Sequence, residues 1–359
     1  MRSFNTIFRP ALAALIVLGL HFPALAQQTN STQLTRIQVT RLSITGRSLS
    51  GDEAAKLEQT LVTDPKNVTA RISLIAYYAG QRDDPSRAKK DEQALWFISN
   101  MPDWDLLRWV IQVRLDPVLD KDYNRARELW LANLEKYNGN TAVIGNAFDF
   151  FEIYDKALAE KLIKQAAALE PTNPRWPSQF GHLLTMKMQT VTGDARQSLA
   201  AEAYEQYRLA YSGMKNAGEK TTILQRLPLA AFDAGDFKQA REWSLEILNQ
   251  EAANHSPMLI DAVHHAQITL GRIALTEKNL PEARSRLALA GQTAGSPSLK
   301  SFGPNMTLAK ELLEKGEREA VLKYFEECAA FWKNKDQLDQ WTVLVKAGQM
   351  PRFGANLLY

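Results

Sequence analysis

The chain has 359 residues, with 43 Lys and Arg against 40 Asp and Glu, five His and one Cys. That length can bury a large core, and the near-balance of charge lacks the clustered Lys and Arg of a nucleic-acid surface, which excludes nucleic acid as the expected partner. A single cysteine rules out an intramolecular disulfide, so packing alone must hold the fold.

The chain opens MRSFNTIFRPALAALIVLGLHFPALAQQ. Arg2 and Arg9 lead an apolar run from Ala11 to Leu20, and Ala24, Leu25 and Ala26 precede Gln27, which is the three-part layout of a secretory leader. A spanning helix needs about 20 apolar residues, twice this run, so the expectation is a signal peptide over residues 1–26, cleaved after Ala26. The expected location is periplasmic or secreted, with no stable membrane span once the leader is gone. The 43 basic side chains less these two arginines are 41 against 40 acids, a nearly neutral mature chain.

Residues 27–50, QQTNSTQLTRIQVTRLSITGRSLS, are polar, rich in Thr and Ser and weakly alternating. They predict a flexible N-terminal segment with one short extended piece. The texture then changes. Ser50 with Glu53 three residues later is the reciprocal capping pattern that opens a helix. From there apolar residues recur at steps of three and four: Leu57 with Leu61, then Ile72, Ile75, Ala76 and Ala79, then Leu106, Val110 and Val113. Proline and glycine fall between these runs, and Pro117 and Pro228 are expected to end or kink theirs. Pro65 to Pro102 is 37 residues and Pro102 to Gly139 is 37 again. A helix pair repeating at that interval predicts a helical solenoid, each pair covering the apolar face of the next.

Within the pairs, LGRIALTEKNLPEARSRLALA at residues 270–290 resembles the tetratricopeptide repeat family. Leu270 and Gly271 match its large-small couple, Ala274 follows one turn later, and Ala283, Leu287 and Ala290 match its second helix. Gly271 and Ala283 are expected where the two helices of one unit come closest. Neighbouring units carry fainter copies: Leu227, Ala231, Gly235 and Ala240 before it, Leu308, Leu312, Gly316, Val321 and Phe325 after it, and Phe150, Tyr154, Ala159 and Ala166 upstream. The resemblance implies an all-α fold, a right-handed solenoid of about seven antiparallel helix pairs over residues 51–332. Residues 333–359, with Trp341, Leu344 and Val345 on one helical face, are expected as a capping helix and tail.

No constellation of catalytic residues stands out. His264 and His265 are adjacent and point about 100° apart on a helix, His182 and His255 are isolated, and no HExxH, paired Cys or Asp-rich loop occurs. No nucleophile elbow or phosphate-binding glycine loop is present, and Cys328 lies on an apolar helix face between Phe325 and Trp332, where burial is expected. No catalytic residue, cofactor or metal is therefore assigned. Of the tryptophans, Trp109 and Trp130 hold core positions, whereas Trp96 and Trp104 flank the turn at Met101 and Pro102 and are the candidates for contact with a partner. The expected function is an exported, non-catalytic scaffold that takes a protein or peptide on the concave face of the solenoid. The alternative is an enzyme or small-molecule binder with a pocket between helix pairs.

Overall fold

The computed structural model describes residues 34–357; the expected leader and its expected cleavage point lie outside the described residues. The chain begins with α1 (Arg36–Gly46), α2 (Gly51–Thr63), α3 (Val68–Ala79) and α4 (Asp84–Asn100). Two 310 turns, Leu107–Trp109 and Ile111–Val113, precede α5 (Tyr123–Lys136), α6 (Thr141–Phe151), α7 (Lys156–Leu169), α8 (Arg175–Met188) and α9 (Gly193–Gly213). Then come α10 (Ala217–Leu224), α11 (Leu227–Asp233), α12 (Phe237–Asn254), α13 (Ile260–Thr276), α14 (Leu280–Gly291), α15 (Pro297–Phe302), α16 (Thr307–Glu314), α17 (Arg318–Cys328) and α18 (Lys335–Lys346). Among the described residues there is no strand, and no helix is long and apolar enough to cross a membrane.

The segment expected to be flexible and extended is, over its described part, mostly helix. Thr35 and Gln38 form a reciprocal capping box at the start of α1, Val39 is fully buried, and the helix packs on α3. Its apolar residues form no stripe, since Ile37 and Ile44 face solvent; without that stripe the β-branched residues read as extended. One guanidinium adds a tie, Arg36 lying 3.7 Å over the Trp109 ring. The second capping box, Ser50 with Glu53, opens α2 as its spacing predicts.

A second difference lies between α4 and α5. Leu106, Val110 and Val113 have helical spacing, yet the chain there makes 310 turns closed by bonds such as Val110 N–H to Leu107 C=O at 2.9 Å and Arg114 N–H to Ile111 C=O at 3.1 Å. Val110 and Val113 are still buried, so the period reports burial without reporting helix. The backbone that leaves helical register here is satisfied by buried amides. Asn133 Nδ2 donates to the Ile98 carbonyl at 2.7 Å, and Asn146 Nδ2 donates to the carbonyls of Pro102 at 2.9 Å and Trp104 at 3.0 Å.

The C-terminal half is more regular. The turns after α11, α13, α16 and α18 share one bonding pattern, in which a left-handed residue lets the next amide reach back five residues. Gly235, Lys278, Gly316 and Gly348 hold the positive φ, and Asp236, Asn279, Glu317 and Gln349 donate to Ala231, Ala274, Leu312 and Leu344. This is the helix-ending arrangement that glycine favours, and only Lys278 lacks that residue. The helices α11, α13 and α16 are successive neighbours, as are α14 and α17. Gly271 on α13 is the point of closest approach, though not mainly within its own unit as expected: a Cβ there would meet Leu308 Cδ2 of α16 at 2.2 Å and Arg286 Cβ of α14 at 3.2 Å.

Helix α13 also joins the two main parts of the core. Ala262, Ala266 and Ile273 belong to the larger cluster that begins at Val39, and Ile268 and Ala274 to the cluster that ends at Phe353. At the C-terminus α18 packs on α17 with Leu338, Trp341 and Val345 buried. The tail turns back over it. Phe353 packs against Trp341 and Phe325, and Asn356 donates to the Pro304 carbonyl at 2.9 Å while its own carbonyl accepts from Met306 N–H at 2.8 Å.

Candidate functional site

Between α8, α9, α11 and α13 lies a cavity of about 240 Å³. Met186, Met188, Ala200, Ala203, Leu229 and Ala230 form its apolar wall, and His182, Thr185, Tyr207, Gln225, Arg226 and His265 bring polar atoms to it. A glycine sets the geometry of one side. At Gly181 of α8 a Cβ would lie 2.9 Å from the Tyr207 ring of α9; its absence lets the ring press onto the helix. The phenol oxygen then sits 3.2 Å from Thr185 Oγ1, whose hydroxyl also donates to the Gly181 carbonyl at 2.9 Å. Glycine inside a helix costs about 1 kcal/mol unless such an approach rewards it.

The cavity's charges are unequally matched. Asp233 faces it, but its carboxylate is shared between Arg196 at 3.4 Å and Arg272 at 3.7 Å, and Arg272 is held in turn by Glu311 at 2.9 Å. Burial raises the pKa of Asp233, and the two arginines pull it back. Arg226 is different. Its guanidinium lies 5.9 Å over the Tyr207 ring and has no carboxylate within 4.0 Å among the described residues.

The two imidazoles at the cavity are neutral at physiological pH. Burial, helped by the Arg226 charge, lowers the pKa of His182 to about 4, and burial, helped by His264 and Arg226, lowers that of His265 to about 3. His182 Nδ1 is buried with no hydrogen-bond partner among the described residues. The neighbouring pair on α13 divides its work as the angle between adjacent helix positions requires. His264 turns into the core, with Nδ1 donating to the Ala290 carbonyl at 2.9 Å and Nε2 accepting from the Asn305 amide at 3.0 Å. His265 turns to the cavity. A buried orphan imidazole nitrogen beside an unpaired guanidinium is a combination that a bound polar group would relieve.

A second ionic cluster is centred on Asp149. On α6, Asp149 lies 3.6 Å from Arg114 and 3.5 Å from Arg175, and Glu152 accepts from Arg114 at 2.7 Å. Burial raises the Glu152 pKa to about 7 despite that pairing, and burial lowers Arg175 to about 10. These side chains satisfy one another, and the space beside them, about 10 Å³, is too small for a ligand.

Trp96 and Trp104, the expected partner-binding residues, are half-buried and lie outside the cavity. Trp96 carries the Arg71 guanidinium 4.0 Å over its ring, and Trp104 stacks on Phe97 at 6.2 Å. Both pack against the core. Cys328 is buried, as its apolar neighbours indicate, and burial raises the pKa of its thiol. Among the described residues no three His, Cys, Asp or Glu gather as a metal cage. The cavity residues were not singled out from the sequence. They come one or two at a time from separate helices, so no spacing links them; the interruption of an apolar helix by Gly181 and His182 is the one local signal.

Neither a protein-family model nor a curated protein matches this chain.

Proposed function

We propose that this protein is a non-catalytic binding protein of tetratricopeptide-like helix pairs, and that it takes a small-molecule ligand in the cavity between α8, α9, α11 and α13. The observation that carries this reading is the unpaired Arg226 guanidinium, which shares an apolar-walled cavity with the orphan nitrogen of His182. Polar groups converging in a concave apolar space are the usual form of a ligand site. The repeated turns after α11, α13 and α16, and the succession of α11, α13 and α16, support a right-handed solenoid whose first helices line one face. Export by the leader completes the reading, placing the protein in a periplasm or outside the cell.

A reaction is not part of this proposal. The buried histidines have pKa values far below neutrality, whereas a general base works best near the working pH. A second reading, a scaffold for a protein or peptide, is favoured by Val118 and Leu119, which stand exposed on the loop before α5.

The test is a thermal-shift screen of small organic molecules against the protein and against Leu229→Trp, which fills the cavity from its half-buried rim. At least one chemical class raises the melting temperature of the parent and leaves the filled variant unmoved. Equal shifts in both, or none in either, would overturn the cavity as the binding site.

A further inference from the structure

We infer that the cavity ligand is a small amphipathic monocarboxylic acid, its carboxylate held by Arg226 and its apolar body lying between Met186, Met188 and Leu229. This deepens the reading above and rests on it.

The charge of the ligand follows from what the walls leave uncompensated. Four kinds of titratable group face the cavity from the surrounding helices: His182 of α8, Tyr207 of α9, Arg226 with Asp233 beside and on α11, and His265 of α13. Both imidazoles are neutral near pH 7 because burial and Arg226 hold their protons off. The Asp233 charge is matched outside the cavity by Arg196 and Arg272. One positive charge remains, on Arg226, so a monoanion balances the site and a dianion would leave a buried negative charge unpaired. A guanidinium offers two parallel N–H donors, a geometry that fits a carboxylate. Gln225 adds a neutral amide donor at the same cavity.

The shape of the ligand follows from the apolar wall. A bare inorganic anion would leave Met186, Met188 and Leu229 facing water in a confined space. An acid with an alkyl or similar chain covers them, and thioether side chains adapt to chains of differing form. The neutral His182 imidazole fits this assignment too, since it can donate to a carboxylate oxygen without adding charge.

The experiment titrates straight-chain monocarboxylates from butanoate to dodecanoate into the protein by calorimetry, with the matching primary amides, and with chloride and phosphate, as controls. Each is repeated with Arg226→Met, which keeps bulk and loses charge, and with Leu229→Trp. Circular dichroism and melting establish that both variants are folded. One chain length of the acid binds the parent, its amide and the inorganic anions bind far more weakly, and Arg226→Met weakens the acid about tenfold to a hundredfold. Amide and acid binding equally, with Leu229→Trp abolishing both, would overturn the carboxylate assignment and leave the cavity reading standing. Binding that survives Leu229→Trp overturns both. No acid binding at millimolar concentration, or phosphate binding more tightly than any acid, overturns the inference.

Discussion

The two halves of the molecule build helix pairs by different means. From α11 to α17 the two helices of each pair are joined by the same turn, with a left-handed residue and a reach-back amide bond at Gly235, Lys278 and Gly316, and small residues such as Gly271 and Ala283 let helices approach. Between α4 and α5 the helix expected from spacing is absent. There, asparagine amides satisfy stray carbonyls, edge-on and stacked aromatics fill volume, and partly buried ion pairs link Arg114 and Arg175 to Asp149. The lesson is that stacking by backbone repetition needs few specific side chains, whereas each departure from helix brings orphan polar groups that must be met individually. The cavity lies between the two regimes.

Overpacking the regular half should have the largest effect. Gly271→Leu puts a Cβ where Leu308 already stands, and should destabilise by about 3 kcal/mol, the upper end for overpacked cores. In the proposed solenoid each unit depends mainly on its neighbours, so hydrogen exchange should accelerate across α13 to α17 and much less before α9. Equal acceleration from end to end would mean that the halves are one cooperative block.

In the irregular half the corresponding change is Asn146→Leu. It leaves the Pro102 and Trp104 carbonyls without their donor, and buried acceptors so stranded cost about 2 kcal/mol. Denaturant melting should show that loss, and Asn146→Leu combined with Gly271→Leu should be additive, since the sites share no partner. Strong coupling between them would contradict a division into separate regimes.

Acid tests the cavity between them. The pKa of His182 in the folded state is about 4, below the roughly 6.5 of an exposed histidine, so the folded state binds fewer protons than the unfolded chain across that interval. Stability from this group is complete above pH 6.5 and is lost as pH falls towards 4. His182→Gln should therefore flatten the acid limb of stability against pH by about 1–2 kcal/mol. An unchanged limb would show that His182 is more solvated than its surroundings imply.

The smallest effect is a gain. Lys278 holds φ of 59° where its counterparts are glycine, and left-handed backbone costs a side chain about 1 kcal/mol. Lys278→Gly should raise stability by about 0.5–1 kcal/mol, the residual being limited by glycine's entropy in the unfolded chain. Destabilisation instead would mean that the shared turn owes its form to the lysine.

How far the sequence reveals this structure depends on the same contrast. Helices with an apolar stripe, such as α13, α14 and α17, are legible from spacing, as are the capping boxes at Ser50 and the turn glycines. Helix α1 is not, because its stability comes from α3 and from Arg36 on Trp109 rather than from its own periodicity. The turns at 107–113 are not, because Val110 and Val113 keep the burial pattern while the backbone changes. Trp96 and Trp104 drew notice as large aromatics near a turn, yet their packing is decided by Arg71 and Phe97. Arg226 drew none. Its meaning is the lack of an acidic partner, and only the arrangement of α8, α11 and α13 discloses that lack.

A ligand in that cavity is detected by native mass spectrometry of the protein and of Leu229→Trp, both isolated from the source host without denaturation. The parent should carry a small organic adduct, released on unfolding, and the filled variant none. A parent free of adduct, or the same adduct on both proteins, would contradict a ligand in the cavity.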